Sequence, residues 1–163
     1  MSEGTESISS WLAGRLPDDW FDGAPEITVD RDEVLVVGRL PAPDGADADG
    51  EAGRIARFRE ETRDRRIRIA REAEQRFAHK VAWGAQCGET RELFTTLSVP
   101  VMTRLRQPER LVLDTLVDAG VARSRSHALA WCVRLVGEHS DEWLTQLRTA
   151  MEEVRRVRDQ GPA

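Results

Sequence analysis

The sequence predicts an α+β protein. It reads as an N-terminal β-hairpin and a long arginine-rich helix, then a strand–helix–helix unit that is complete only as a dimer, then a C-terminal helix. Three observations lead there. Ile27 and Val29, and later Leu97 to Leu105, alternate with polar neighbours at the two-residue period of a half-buried strand. Between Gly53 and Ala78, and in three stretches after Pro108, apolar residues recur at three and four positions, the period of an amphipathic helix. The longest unbroken apolar run is Ala128 to Val133, so no transmembrane helix is expected.

The chain has 163 residues, enough for one compact domain or two small ones. With 40% hydrophobic and 33% charged residues it reads as soluble and globular. Met1 to Glu6 is acidic and has no apolar core, so no signal peptide is expected. Lys80 is the one lysine among 24 basic residues, which reads as the arginine bias of a GC-rich bacterial genome. Cys87 and Cys132 are the two cysteines and form no C-x-x-C, so reduced thiols in a cytoplasmic setting are the default.

The elements follow in order. A short helix around Ile8 to Gly14 ends at Pro17. Glu26 to Leu40 reads as a hairpin, with its turn at Asp30 to Glu33 and a buried second strand at Val34 to Val37. Pro41 to Ala52 lacks apolar periodicity and reads as an acidic linker. From Gly53 to Ala78 a single long helix is expected, with Ile55, Phe58, Thr62, Ile69, Ala73 and Phe77 near one stripe that Arg65 and Arg66 interrupt. His79 to Trp83 reads as a short strand, Gly84 to Gly88 as its turn, and a second strand follows from Arg91. This divides the chain into 1–50, 51–93, 94–139 and 140–163.

Leu97 to Leu105 carries the strongest signal. As a strand it places Leu97, Val99, Val101, Thr103 and Leu105 on one face, and Ser98, Pro100, Met102 and Arg104 on the other. Arg106 joins the outward set if the strand extends that far. Pro108 sits near the first position of the next helix. Leu111, Leu113, Leu116 and Val117 give that helix a buried side, and Gly120 is placed as a left-handed cap. Ser124 or Ser126 caps a second helix, from His127 to about His139, with Leu129, Cys132, Val133 and Val136 as its stripe. One strand and two helices cannot bury these faces alone, and the strand has an open edge. Two copies paired antiparallel make a two-stranded ribbon over a shared four-helix core.

These residues resemble the ribbon-helix-helix DNA-binding domain of CopG, Arc and MetJ type, over roughly Leu97 to His139. The resemblance implies a homodimer whose ribbon enters the major groove of double-stranded DNA, with outward strand side chains on base edges. Those would be Met102 and Arg104, with Arg106 joining them if the strand extends, since an Arg fork matches guanine O6 and N7. It also implies phosphate binding at the start of the second helix by Arg123, Ser124, Arg125 and Ser126. The helix from Pro108 to Gly120 is shorter than the family usually shows. Either it starts nearer Arg106 or the strand register shifts. The chain as a whole is similar to a conserved actinobacterial type of protein, which implies no function.

Other chemistries have little to stand on. No His–Asp pair is spaced to activate Cys87. His79, His127 and His139 with the two cysteines fit no zinc spacing. Asp18, Asp19 and Asp22 read as cap and turn residues. No glycine-rich phosphate loop or hydrolase elbow is present. Neither an enzyme nor a cofactor is expected. The arginines of 54–71 read as a solvated helix face, balanced in part by Glu60, Glu61, Asp64, Glu72 and Glu74. The last helix, capped at Ser140, carries Trp143, Leu144, Leu147, Met151, Val154 and Val157, either packed on its own domain or forming a coiled-coil arm.

Charge sharpens the functional choice. The formal net charge of −5 averages unlike segments. Residues 1–50 hold three Arg against twelve acids, a net of −9, while residues 94–137 hold six Arg against three acids, a net of +3. The first expectation is therefore a dimeric, sequence-specific transcription regulator in the cytoplasm, associated with the nucleoid. The alternative is a dimeric interaction module, antitoxin-like or a scaffold. Its partner protein would bind residues 1–50 through the exposed-looking Trp11, Trp20 and Phe21.

Overall fold

The computed structural model describes residues 2–161. Met1, where the leader reading begins, and the last two residues of the 140–163 segment lie outside it. The protein is α+β, with one four-stranded sheet and six helices among the described residues. It divides into two compact units, Met1–Val101 and Met102–Ala163.

In the first unit, α1 (Ser2–Arg15) buries Ile8 and Leu12, and Leu16 just after its end, whose N–H donates to the Leu12 carbonyl at 2.9 Å, continues the same face. Arg15 donates to both Glu72 carboxylate oxygens, at 2.6 and 2.9 Å, tying α1 to a later helix. β1 (Glu26–Val29) and β2 (Glu33–Leu40) form the expected hairpin. Its turn is held by Asp30 Oδ1, which accepts from the backbone N–H of Asp32 and Glu33, each at 2.8 Å. Gly38 has no alternative: a Cβ there would lie 2.0 Å from the Phe21 ring.

The acidic 41–52 stretch is not all linker. α2 (Ala48–Glu61) begins inside it, because Asp47 caps the helix by accepting from Gly50 N–H at 3.0 Å. Nor is the arginine-rich segment one helix. It breaks at Thr62, and α3 (Arg63–Phe77) follows, ending at Ala78 in the left-handed conformation. The buried stripe continues across the break through Ile55, Phe58, Thr62, Arg66, Ile69 and Ala73. Arg66 does not interrupt it but belongs to it. Its Nε donates to Thr62 Oγ1 at 3.0 Å and its Nη2 to the Arg59 carbonyl at 2.6 Å. Its guanidinium lies 4.8 Å from the centre of the Phe94 ring. Burial, with Arg59 and Arg63 nearby, pulls its pKa down to about 10, so it stays charged at neutral pH.

β3 (Lys80–Cys87) pairs with β2 in parallel over all eight residues, a geometry that needs the α2–α3 crossover. The expected turn at Gly84 to Gly88 is strand through Cys87, and the chain reverses only at Gly88 and Glu89 into β4 (Thr90–Leu93). Glu51 on α2 holds that reversal, accepting from Thr90 N–H at 3.0 Å and Thr90 Oγ1 at 2.7 Å. Segments 1–50 and 51–93 thus share one sheet, in the order β1-β2-β3-β4. Phe94 and Thr95 belong to it too. Phe94 is buried in the core, and Thr95 Oγ1 accepts from Trp83 N–H at 3.1 Å. Trp20 is buried, while Trp11 and Phe21 pack against the same core. The aromatics expected to face a partner are structural.

The second unit holds α4 (Gln107–Asp118), α5 (Arg125–His139) and α6 (Asp141–Gln160). Its interior is small. Leu113, Ala122 and Ala128 are its buried apolar residues among those described, with Leu105, Leu116, Val117, Leu129 and Cys132 partly buried around them. Among the described residues, no helix is long and apolar enough to cross a membrane.

Candidate nucleic-acid interface

The segment expected as a ribbon strand, Leu97 to Leu105, forms no strand in the single chain. A ladder needs a second strand, and none pairs with it among the described residues. Its end nevertheless keeps strand-like sidedness. Leu105 turns inward onto the Leu113 cluster, whereas Met102, Arg104 and Arg106 on either side are exposed. Met102 is 95% exposed, as bare as a methionine can be. Of the other residues expected to face inward, Leu97, Val99 and Val101 remain exposed. Arg106 is the residue before α4, with extended backbone (φ −81°, ψ 174°). The helix therefore starts after Arg106 rather than at it, and Arg106 alternates with Leu105 as Arg104 does. Among the described residues, neither Arg104 nor Arg106 forms an ion pair.

The reversal between α4 and α5 is set locally. Gly120 takes φ +75°, its N–H donates to the Val117 carbonyl at 3.0 Å, and Val121 N–H donates to the Leu116 carbonyl at 3.0 Å. This paired bonding satisfies the last carbonyls of α4 and needs a residue free to adopt positive φ. Ser124 then caps α5, its Oγ accepting from His127 N–H at 3.2 Å. The backbone N–H groups of Arg125 and Ser126 are the first two of the helix and point out of its N-terminus.

The four residues expected at a phosphate are thus near one another but not equivalent. Arg123, Ser124, Arg125 and Ser126 are all exposed at the mouth of α5. Ser124 serves as the cap. The backbone N–H of Arg123 donates to His127 Nδ1 at 3.3 Å, leaving its side chain in solvent. Arg125 is engaged elsewhere: its Nε and Nη2 reach the two Asp114 oxygens on α4 at 2.6 and 2.7 Å. That paired hydrogen bonding holds the Asp114 carboxyl below the usual carboxylate range and raises Arg125. Arg110 Nη1 donates to the Leu105 carbonyl at 2.8 Å, fixing the start of α4 against the extended segment. Asp114 is not legible in the sequence as part of this site, because Arg125 meets it only across the helix–helix turn, and Arg110 is not, because its partner is the backbone carbonyl of Leu105.

No other centre competes. Cys87 sits in a strand, fully buried, and burial pushes its thiol up, away from nucleophile chemistry. Among the described residues, no three His, Cys, Asp or Glu side chains converge as a metal site would require.

Comparison with known proteins divides the chain much as its geometry does. Residues 6–93 match the family model described as Rv1265-like protein, N-terminal domain. Residues 106–158 match the model of the Mb1296 C-terminal domain. The uncharacterized protein Mb1296 of Mycobacterium bovis is 60% identical over 157 residues, covering 94% of this chain and 70% of that protein. The uncharacterized protein Rv1265 of Mycobacterium tuberculosis matches to the same extent. No solved structure matches. With a family model spanning more than half of its length and relatives at 60% identity, the chain belongs to the Rv1265-like family.

Proposed function

We propose that the protein is a homodimeric, sequence-specific DNA-binding transcription regulator of ribbon-helix-helix type, working in the cytoplasm at the nucleoid. One observation carries this reading. An extended segment with Met102, Arg104 and Arg106 bare and Leu105 tucked inward runs straight into a helix–Gly120–helix unit whose apolar faces are largely uncovered. A second copy would supply both the missing strand and the missing half of the core. Met102, Arg104 and Arg106 would then read base edges in the major groove. The free N–H groups of Arg125 and Ser126, with the Arg123 side chain, would take a phosphate. Arg125 itself acts through Asp114, holding the mouth of α5 in place. No catalytic step and no cofactor belong to this role.

The alternative, a partner-binding module using residues 1–50, loses its aromatic anchors, since Trp11, Trp20 and Phe21 pack in or against the core. What remains for it is the exposed acidic surface.

The test is filter binding of the full chain to genomic fragments over a salt series. Wild type should select a subset of fragments, with affinity falling as salt rises. Arg104→Ala should cost about 1–3 kcal/mol on the selected fragments and relax selectivity. Binding to no fragment at low salt would sink the proposal. Unchanged selectivity in both Arg104→Ala and Arg106→Ala would overturn the ribbon assignment.

A further inference from the structure

We propose that α6 pairs in parallel with α6 of a second copy of this chain, along a seam of Trp143, Leu147, Ala150, Val154 and Val157. The spacing of that seam is four, three, four, three, the heptad pattern of a coiled coil. Nothing in the described chain covers it. α6 has no buried residue, and Trp143, Val154 and Val157 are each between 58% and 59% exposed. Such an apolar stripe on a helix with nothing packed along it calls for a partner.

The flanks of the seam say which partner and which direction. With Leu147 and Val154 at a, and Trp143, Ala150 and Val157 at d, Glu153 falls at g and Arg158 at e. In a parallel pair, each g side chain meets the e side chain five positions further along the other helix. Glu153 and Arg158 are five apart, so one helix offers Glu153 to Arg158 of the partner subunit and accepts the reverse, giving two equivalent ion pairs. An antiparallel pair instead brings g against g and e against e; the g positions are Gln146, Glu153 and Gln160 and the e positions Leu144, Met151 and Arg158, so no antiparallel register opposes an acid to a base. The acids of the first turn, Asp141 and Glu142, and the basic Arg155 and Arg156 fall at b and c, off the seam, and do not reverse this choice.

Within the single chain, Glu153 is contacted by Arg156 and Arg158 by Asp159, and all four side chains are more than half exposed. Exchanging such local surface pairs for seam pairs costs little. At twenty residues, about 30 Å, α6 holds fewer than three full heptads. It therefore adds to the association of α4 and α5 rather than replacing it. In that respect it rests on the homodimer of the proposed function, but not on DNA binding.

The test uses the full chain without DNA. Val157→Cys, placed in a Cys132→Ser background, should give a disulfide-linked dimer on mild oxidation, because d positions of a parallel pair face each other. Glu153→Arg should weaken self-association by roughly three- to tenfold in sedimentation equilibrium, and E153R/R158E should restore it. A dimer that forms no crosslink at Val157→Cys and ignores both charge variants overturns α6 pairing while leaving the homodimer standing. A chain that stays monomeric at every concentration overturns both.

Discussion

The two units of this protein solve the burial of apolar surface in opposite ways. Among the described residues, Met1–Val101 buries seventeen apolar side chains, from Ile8 on α1 to Phe94 after β4, while Met102–Ala163 buries three. The difference does not come from a shortage of apolar residues in the second unit. Leu111, Val112, Val133, Val136 and Trp143 are each more than half exposed. It comes from architecture. A four-stranded sheet crossed by two helices and capped by α1 closes a core within one chain. Three helices and one extended segment have no second layer to close against. The first unit is finished by its own fold, whereas the second leaves its apolar faces open, and in the proposed dimer a second copy would close them.

The largest effect that separates them is a core truncation. Ile55→Ala, at a side chain with no exposed surface, should cost the first unit about 2–5 kcal/mol in urea denaturation, at any protein concentration. A cost under 1 kcal/mol would mean that this core is not the tightly packed one described.

The second unit should respond to concentration instead. Each tenfold rise in protein concentration should add about 1.4 kcal/mol to the stability of its folded dimer, and leave the first unit unchanged. Hydrogen exchange at α4 and α5, followed over a dilution series, separates the two. Equal protection at all concentrations would erase the contrast.

The smallest effect lies inside the second unit. Arg125 holds the Asp114 carboxyl below its ordinary range, so the charged form is favoured in the folded state. Stability from this pair is present above the unfolded pKa and is lost as pH falls through the lower, folded one. Wild type and Asp114→Asn should therefore differ slightly at neutral pH, and converge under acid. Both side chains are solvent-exposed, so high salt should shrink the difference as well. A gap that widens on acidification would mean that the pair does not anchor the α4–α5 turn.

Local signals are legible in the sequence where one element suffices to make them. The Asp30–Glu33 turn, the left-handed Gly120 and the Ser124 cap each depend on a few adjacent residues, and each stands where the sequence places it. The misplaced boundaries share a cause. Gly84 and Gly88 flank Cys87 and suggest a turn there, yet parallel pairing with Leu40 extends β3 through it. Asp47 and Gly50 looked like linker, yet they start α2. Arg66 looked like a break in the apolar stripe. It falls four residues after Thr62 and three before Ile69, the spacing of the buried face, and that spacing outweighs its charge once Phe94 lies across it.

By itself the sequence determined the periodicities, the turns and caps, the α+β class and the uneven charge, because these follow from side-chain type and spacing along one strand of backbone. Only the tertiary structure decided which aromatics are core, that β2 and β3 run parallel, that Arg125 belongs to Asp114, and that Met102, Arg104 and Arg106 stand bare. Those facts depend on residues far apart in the chain meeting in space. Along α6 the apolar seam was plain in the sequence, and the tertiary structure added that its own chain leaves it uncovered.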